Sequence, residues 1–181
     1  MPIPPFTHAA VLPPYLGDAT DETRSPYGAT MEELVSRFAT SIERRDILSG
    51  LLTYRAALRE KLGVTSGIQW LDGSFVEDVE RSEGRPPADI DVLTIATFPP
   101  ASALTAGQRE LLDSKHTKSR YRCDAYPLDL SRVKSVDLVL ARVTYWFGLF
   151  GHRRDELWKG MLSVSLDAAD DERARRLLEA S

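Results

Sequence analysis

The stretch Asp89-Ile90-Asp91-Val92-Leu93-Thr94-Ile95-Ala96-Thr97 decides the fold. Its β-branched and apolar run, stopped by Pro99-Pro100, reads as a largely buried strand. Side chains on a strand alternate, so Asp89 and Asp91 share one face while Ile90 and Val92 enter the core. Two carboxylates side by side repel each other unless a cation stands between them. An all-oxygen carboxylate pair suits Mg²⁺ or Mn²⁺. The bland alternative is a solvent-facing strand end that happens to carry two charges.

Upstream, Ile68-Gln69-Trp70-Leu71 reads as a shorter strand, followed by the turn Asp72-Gly73-Ser74 and a polar loop from Glu77 to Ala88. A glycine at a strand end permits a tight turn, and the N–H groups after it, with the Ser74 hydroxyl, suit a phosphate oxygen. Downstream, Tyr121 to Tyr126 reads as a third strand closed by Pro127, with Asp124 in its middle. A carboxylate there needs a partner. It either completes a three-carboxylate site with Asp89 and Asp91 or pairs with Arg122 or another basic side chain. Between these strands we expect a short helix over Ala106 to Leu112 and a basic loop with Lys115, His116, Lys118, Arg120 and Arg122.

Further out the pattern is helical. Thr30-Met31-Glu32-Glu33 has capping-box spacing. Leu34, Val35, Phe38 and Ile42 follow it at helical intervals, and a second helical stretch from Ile47 to Leu62 ends at Gly63. The basic residues on these two helical stretches (Arg37, Arg44, Arg45, Arg55, Arg59 and Lys61) read as a solvated face. Ser135 to Phe150 is apolar enough for a buried helix that also serves as a dimer contact. Met161 to Leu166 suggests a last strand and Ala169 to Ala180 a polar helix. Six of the 11 prolines fall in residues 1–29, in Pro2, Pro4-Pro5, Pro13-Pro14 and Pro26. Proline fixes φ and removes a donor, so we read an extended arm lying on the domain or on a partner subunit. The fold class is therefore mixed α+β (α/β mixed). It comprises an arm at 1–29 and one domain at 30–181, divided into a helical flank (30–63), a core (67–126) and C-terminal helices and strand (135–181).

Composition bounds the function. The 181 residues are 43% hydrophobic and 28% charged, the balance of a soluble globular domain. A net charge of −4 excludes a generally basic nucleic-acid coat. The single Cys123 forms no internal disulfide and suits a reducing, cytoplasmic setting. It reads as a small apolar strand residue facing away from Asp124. No apolar run is long enough to span a membrane, and the pattern of a secretory signal is missing. His8, His116 and His152 lack zinc-ligand spacing.

Taken together, Leu71-Asp72-Gly73-Ser74, Asp89-Ile90-Asp91-Val92 and Asp124 resemble the polymerase-β-type nucleotidyltransferase superfamily. The resemblance covers residues 67–126, with a gap of fourteen residues between Ser74 and Asp89, slightly longer than usual. More loosely, the chain resembles a family of short bacterial proteins regarded as nucleotidyltransferase-like. The matching residues are Ile3 to Phe6, Leu12 to Pro14, Gly73 to Phe75, Tyr145-Trp146, Leu149 to Gly151 and Lys159-Gly160. The resemblance implies a small mixed sheet with flanking helices and two-metal phosphoryl transfer from an NTP or dNTP to a hydroxyl. It assigns Asp89, Asp91 and Asp124 to Mg²⁺ or Mn²⁺ and catalysis, and Gly73 and Ser74 to the phosphates. A basic side chain should hold the triphosphate; Lys115, Lys118, Arg120, Arg153, Arg154 and Lys159 are candidates, with Lys118, Arg120 and Lys159 put forward. The implied acceptor is a nucleotide or oligonucleotide, as in members that make antiphage-defence signals. Alternatively it is a partner toxin protein from the same operon, as in antitoxin-type members, or the fold is a catalytically silent binding module.

Overall fold

Thr30 opens the first helix by the capping box that its spacing predicts. Its hydroxyl accepts from the Glu33 N–H at 3.0 Å while the Glu33 carboxylate accepts from the Thr30 N–H at 2.8 Å. The computed structural model describes residues 3–180; Met1, Pro2 and Ser181 lie outside the described residues. Helix α1 (Met31–Phe38) stops sooner than the periodicity suggests. Ile42 begins a new helix, α2 (Ile42–Leu62), and is exposed rather than buried. Gly63 ends α2 in the left-handed conformation, φ 66°, with its N–H returned to Arg59.

The chain then builds a mixed five-stranded sheet. Its strands are β1 (Tyr27–Ala29), β2 (Ile68–Asp72), β3 (Ile90–Ala96), β4 (Cys123–Asp129) and β5 (Leu162–Ser165), in the order β1-β5-β2-β3-β4. β2 runs antiparallel to β3 and β5, whereas β1 is parallel to β5 and β4 to β3. The mixed α+β class is thus correct. The remaining helices are α3 (Val79–Glu83), α4 (Ala106–Arg109), α5 (Ser114–Tyr121), α6 (Val136–Phe150) and α7 (Ala168–Ala180).

Several expectations are corrected. The basic stretch from Lys115 to Arg120 is helix α5, N-capped by the Asp113 carboxylate, and Tyr121 belongs to that helix and not to the next strand. β4 continues through Pro127, because it is the sheet edge, where a missing N–H leaves no ladder bond unmade. The arm lies against the domain, with Leu12 fully buried and the Tyr27 hydroxyl donating to the Pro13 carbonyl, but its last residues are not irregular: 27–29 form β1. Neither Arg44 nor Arg55 lies on a solvated face. Arg55, 0% exposed, donates to Asp171, Gln69 and the Ser165 carbonyl, so it ties α7 to the sheet from within the core. Arg44 reaches across to the carbonyls of Phe75 and Glu77 and to the Glu80 carboxylate.

One sheet face carries Leu71, Ile90, Val92, Cys123, Ala125 and Val164 into the main core with α1 and α2. The other carries Trp70, Leu93, Leu128 and Met161 against Phe150, Trp146 and Phe147 of α6. Only that end of α6 is covered. Val136 is 72% and Leu140 58% exposed, so the expected burial of the whole helix is wrong. Among the described residues no helix is long and apolar enough to cross a membrane.

Candidate active site

Strand alternation and register together make a row of carboxylates. Asp72, last in β2, is the register partner of Asp91 on β3, and Asp91 is the register partner of Asp124 on β4. Register partners project on the same side of a sheet, so three carboxylates from three adjacent strands stand side by side at one edge. Asp89 joins them one strand-repeat before Asp91, while Ile90 and Val92 are buried on the opposite face. Asp89, Asp91 and Asp124 are thus brought together. Cys123 lies on the far face, fully buried, its thiol pushed up by burial and its S–H directed at the Tyr121 carbonyl.

The Gly73-Ser74 turn closes over this row. Gly73 has φ 80°, and a Cβ there would lie 2.8 Å from Asp91 Oδ2, so only glycine lets the turn approach Asp91. Ser74 starts a single 3₁₀ turn, with the Glu77 N–H donating to its carbonyl. Arg44 clamps the next residues through the Phe75 and Glu77 carbonyls. The Gly73 turn is therefore packed directly against the carboxylate row.

Two lysines meet the row from opposite ends. Lys118, on α5, places Nζ 2.6 Å from Asp89 and 3.4 Å from Asp124. Its hydrogen bond to Asp89 raises its pKa further. Lys159, 3% exposed, places Nζ 2.8 Å from both Asp72 and Glu77. Burial opposes its charge, but those two carboxylates outweigh the penalty and hold it protonated. Lys159 is therefore a buried structural cation beneath the turn, not an open triphosphate ligand. Arg120 leaves the site altogether. Two residues past Lys118 it points away around the helix, donates to the Tyr121 hydroxyl, and lines a cavity of about 460 Å³ with Glu60, Lys61 and Gln108. Arg153 is engaged with Asp155.

Asp91, in the middle, bears the strain of the arrangement. Burial, then the charges of Asp89 and Asp124, push its pKa up to about 6 against the pull of both lysines. Asp72 is likewise raised, to about 7, chiefly by burial. Asp72, Glu77 and the buried role of Lys159 escape sequence reading. The available signal is that Asp72 ends a strand of otherwise buried residues, a place where a carboxylate needs a cation. Tyr126 is also missed; a hydrogen bond between its side chain and Asp124 accompanies a pKa raised by burial to about 12.

The donor set suits a hard divalent cation: adjacent carboxylates, all oxygen, mutually repelled. Among the described residues, however, no three His, Cys, Asp or Glu side chains converge as a ligand set. The cation the structure places between Asp89 and Asp124 is the Lys118 ammonium.

Residues 4–165, which take in most of the arm, the whole sheet and the carboxylate row, match a family of unknown function. The chain belongs to DUF6932. No curated protein and no solved structure matches it. The DUF6932 match ends with β5, before α7.

Proposed function

We propose that the protein is a metal-dependent nucleotidyltransferase. It would transfer a nucleotidyl group from an NTP or dNTP to a hydroxyl of a nucleotide or oligonucleotide. The observation that carries this reading is the adjacency of Asp91 and Asp124 in the β3–β4 register, with Asp89 beside them and the glycine turn packed on Asp91. Asp89, Asp91 and Asp124 would hold Mg²⁺ or Mn²⁺, which when bound neutralises triphosphate charge and acidifies the attacking hydroxyl. Ser74 and the N–H groups of its turn would receive a phosphate oxygen. Asp124, nearest the open sheet edge, would orient the acceptor. The acceptor oxygen forms its bond to the α-phosphorus as the α–β bridging bond breaks. Pyrophosphate leaves with that electron pair, and the hydroxyl proton passes to solvent. Lys118, half-exposed beside Asp89 and Asp124, would be the basic side chain that meets the triphosphate.

A net charge of −4, with no basic track in the sequence, favours a small acceptor over long duplex DNA. A protein acceptor, such as a toxin from the same operon, is the alternative within the same chemistry. A cytoplasmic homodimer belongs to the same reading, supported by the apolar side chains that α6 leaves in solvent.

The test is incubation with each labelled NTP and dNTP plus Mg²⁺ or Mn²⁺, wild type beside Asp89→Ala/Asp91→Ala. Pyrophosphate and a labelled product from wild type alone support the reading. Neither from any nucleotide favours a silent binding module. Turnover by both proteins moves the site elsewhere. Sedimentation velocity on the same preparation reads the oligomeric state.

A further inference from the structure

Most of the large hydrophobic side chains that the described residues leave exposed lie on one element, α6. Its C-terminal end packs on the sheet through Trp146, Phe147 and Phe150, whereas every residue from Val136 to Tyr145 is exposed. A helix of this length draws its stability from packing more than from its own hydrogen bonds, so an apolar one left open to water lacks a partner. Val136, Val139, Leu140 and Val143 recur at three- and four-residue spacing and form a stripe along one side of α6. Asp137 flanks the stripe on one side and Arg142 on the other, at equal distances from the midpoint between Val139 and Leu140. Both are exposed, and among the described residues neither is engaged in an ion pair or a side-chain hydrogen bond.

We infer that α6 docks on α6 of a second copy of this chain, antiparallel, about a twofold axis through the midpoint of Val139 and Leu140. The inference rests on the homodimer of the reading above, to which it gives a face and a register, and it is independent of the nucleotide chemistry. An interface between identical copies needs a patch that complements itself. This patch does so twice. The axis sets Val136 against Val143 of the partner subunit and Val139 against Leu140 of the partner subunit, so apolar side chains meet along the whole stripe. It also brings Asp137 to the same side and height as Arg142 of the partner subunit, and Arg142 to Asp137 of the partner subunit, which closes two ion pairs at the rim. The charges that α6 leaves idle in one copy are thus the ones that a second copy uses. A bilayer fits the helix poorly, because an interfacial helix carries a polar face rich in Lys and Arg, whereas Asp137 and Arg142 cancel.

The experiment is sedimentation velocity over a dilution series of the full chain: wild type, Leu140→Glu, Asp137→Arg, Arg142→Asp, and an equimolar mixture of the last two. Wild type should dimerise, and Leu140→Glu should raise the dimer Kd about tenfold or more, with an unchanged melting temperature at a concentration where both are monomeric. Asp137→Arg and Arg142→Asp should each dimerise severalfold more weakly, since each sets like charges against each other at both rims. Their mixture should recover the association, because the heterodimer restores two opposite-charge pairs. A second readout fixes direction. Val136→Cys and Val143→Cys, oxidised together, should form a disulfide-linked dimer on a non-reducing gel, and neither should do so alone, because in the antiparallel pair each cysteine lies about 10 Å along the axis from its own copy. Cys123 is buried and stays out of the reaction. A monomeric wild type overturns the inference, whether or not it binds vesicles of anionic lipid. A dimer indifferent to Leu140→Glu overturns it as well, as do a mixture no tighter than its components and cysteines that link only to their own kind. Dimerisation as described without nucleotide turnover leaves the α6 interface standing and removes the nucleotidyltransferase reading. Turnover by a monomer does the reverse.

Discussion

Asp91 and Asp124 are register partners on parallel strands, so two carboxylates face the same side of the sheet one strand apart, with Asp72 continuing the row on the next strand. A sheet does not gather like charges this way for stability, because carboxylates directly opposite one another repel. The row is tolerable only with Lys118 and Lys159 at its two ends, and even so the Asp91 pKa stays raised to about 6.

That shift fixes a pH dependence of folding. Asp91 has a folded pKa raised to about 6 from an ordinary 3.8, so between those values the native state holds a proton that the unfolded state has lost. The stabilising effect is full below about pH 4 and disappears as pH rises through 6, giving a loss on the order of 1–2 kcal/mol after allowing for relaxation. Urea unfolding should show wild type losing stability from pH 5 to 7.5. Asp91→Asn should lose less, be the more stable protein at pH 7.5, and fail to transfer a nucleotidyl group. Asp72, also raised, leaves a residual slope in the variant. Parallel pH curves for the two proteins would disprove the assignment of strain to Asp91.

Much of this arrangement is legible in the sequence. Thr30 and Gly63 mark their helix ends by local chemistry, and Asp89-Ile90-Asp91 sorts its side chains by strand alternation alone; local rules suffice for both. What escapes depends on partners far along the chain. Arg55 reads as surface until Asp171, 116 residues later, folds onto it. Lys159 joins residues 82 and 87 positions away. The Lys115–Arg120 stretch lacks apolar periodicity, so its helix is set by the Asp113 cap and by tertiary packing of Thr117 and Tyr121. Ser135 to Phe150 misleads in the other direction, since its apolar composition suggests burial that the sheet provides only near Phe150.

The turn over Asp91 separates strain from crowding. Gly73→Ala and Gly84→Ala both force a non-glycine residue into positive φ, 80° and 67°, at a cost of about 1 kcal/mol. A Cβ at residue 84 meets nothing within 4 Å, whereas at residue 73 it meets Asp91 Oδ2 at 2.8 Å and the Asp91 backbone nitrogen at 3.4 Å. Gly84→Ala should therefore lower the melting temperature slightly and leave Mn²⁺ binding and nucleotide turnover intact. Gly73→Ala should cost roughly 2 kcal/mol or more in all and impair both. Equal effects from the two substitutions would mean that the turn does not pack on the carboxylate row.

Lys159 offers the strongest single test of how the row is held. Removing one partner from a buried ion pair strands the other, typically at about 3–5 kcal/mol. Lys159→Met should approach that range, because it leaves both Asp72 and Glu77 buried without their cation. Asp72→Asn keeps Glu77 as a partner for the ammonium and removes one of the repelled carboxylates, so it should cost far less. Adding Asp72→Asn to Lys159→Met should then recover part of the loss, since the double variant buries one stranded carboxylate instead of two. Urea unfolding of the four proteins at pH 7.5 forms a double-mutant cycle, and the expected coupling exceeds about 1 kcal/mol. Additive effects would mean that Lys159 and Asp72 do not meet in solution, and the floor beneath the Gly73-Ser74 turn would have to be drawn differently.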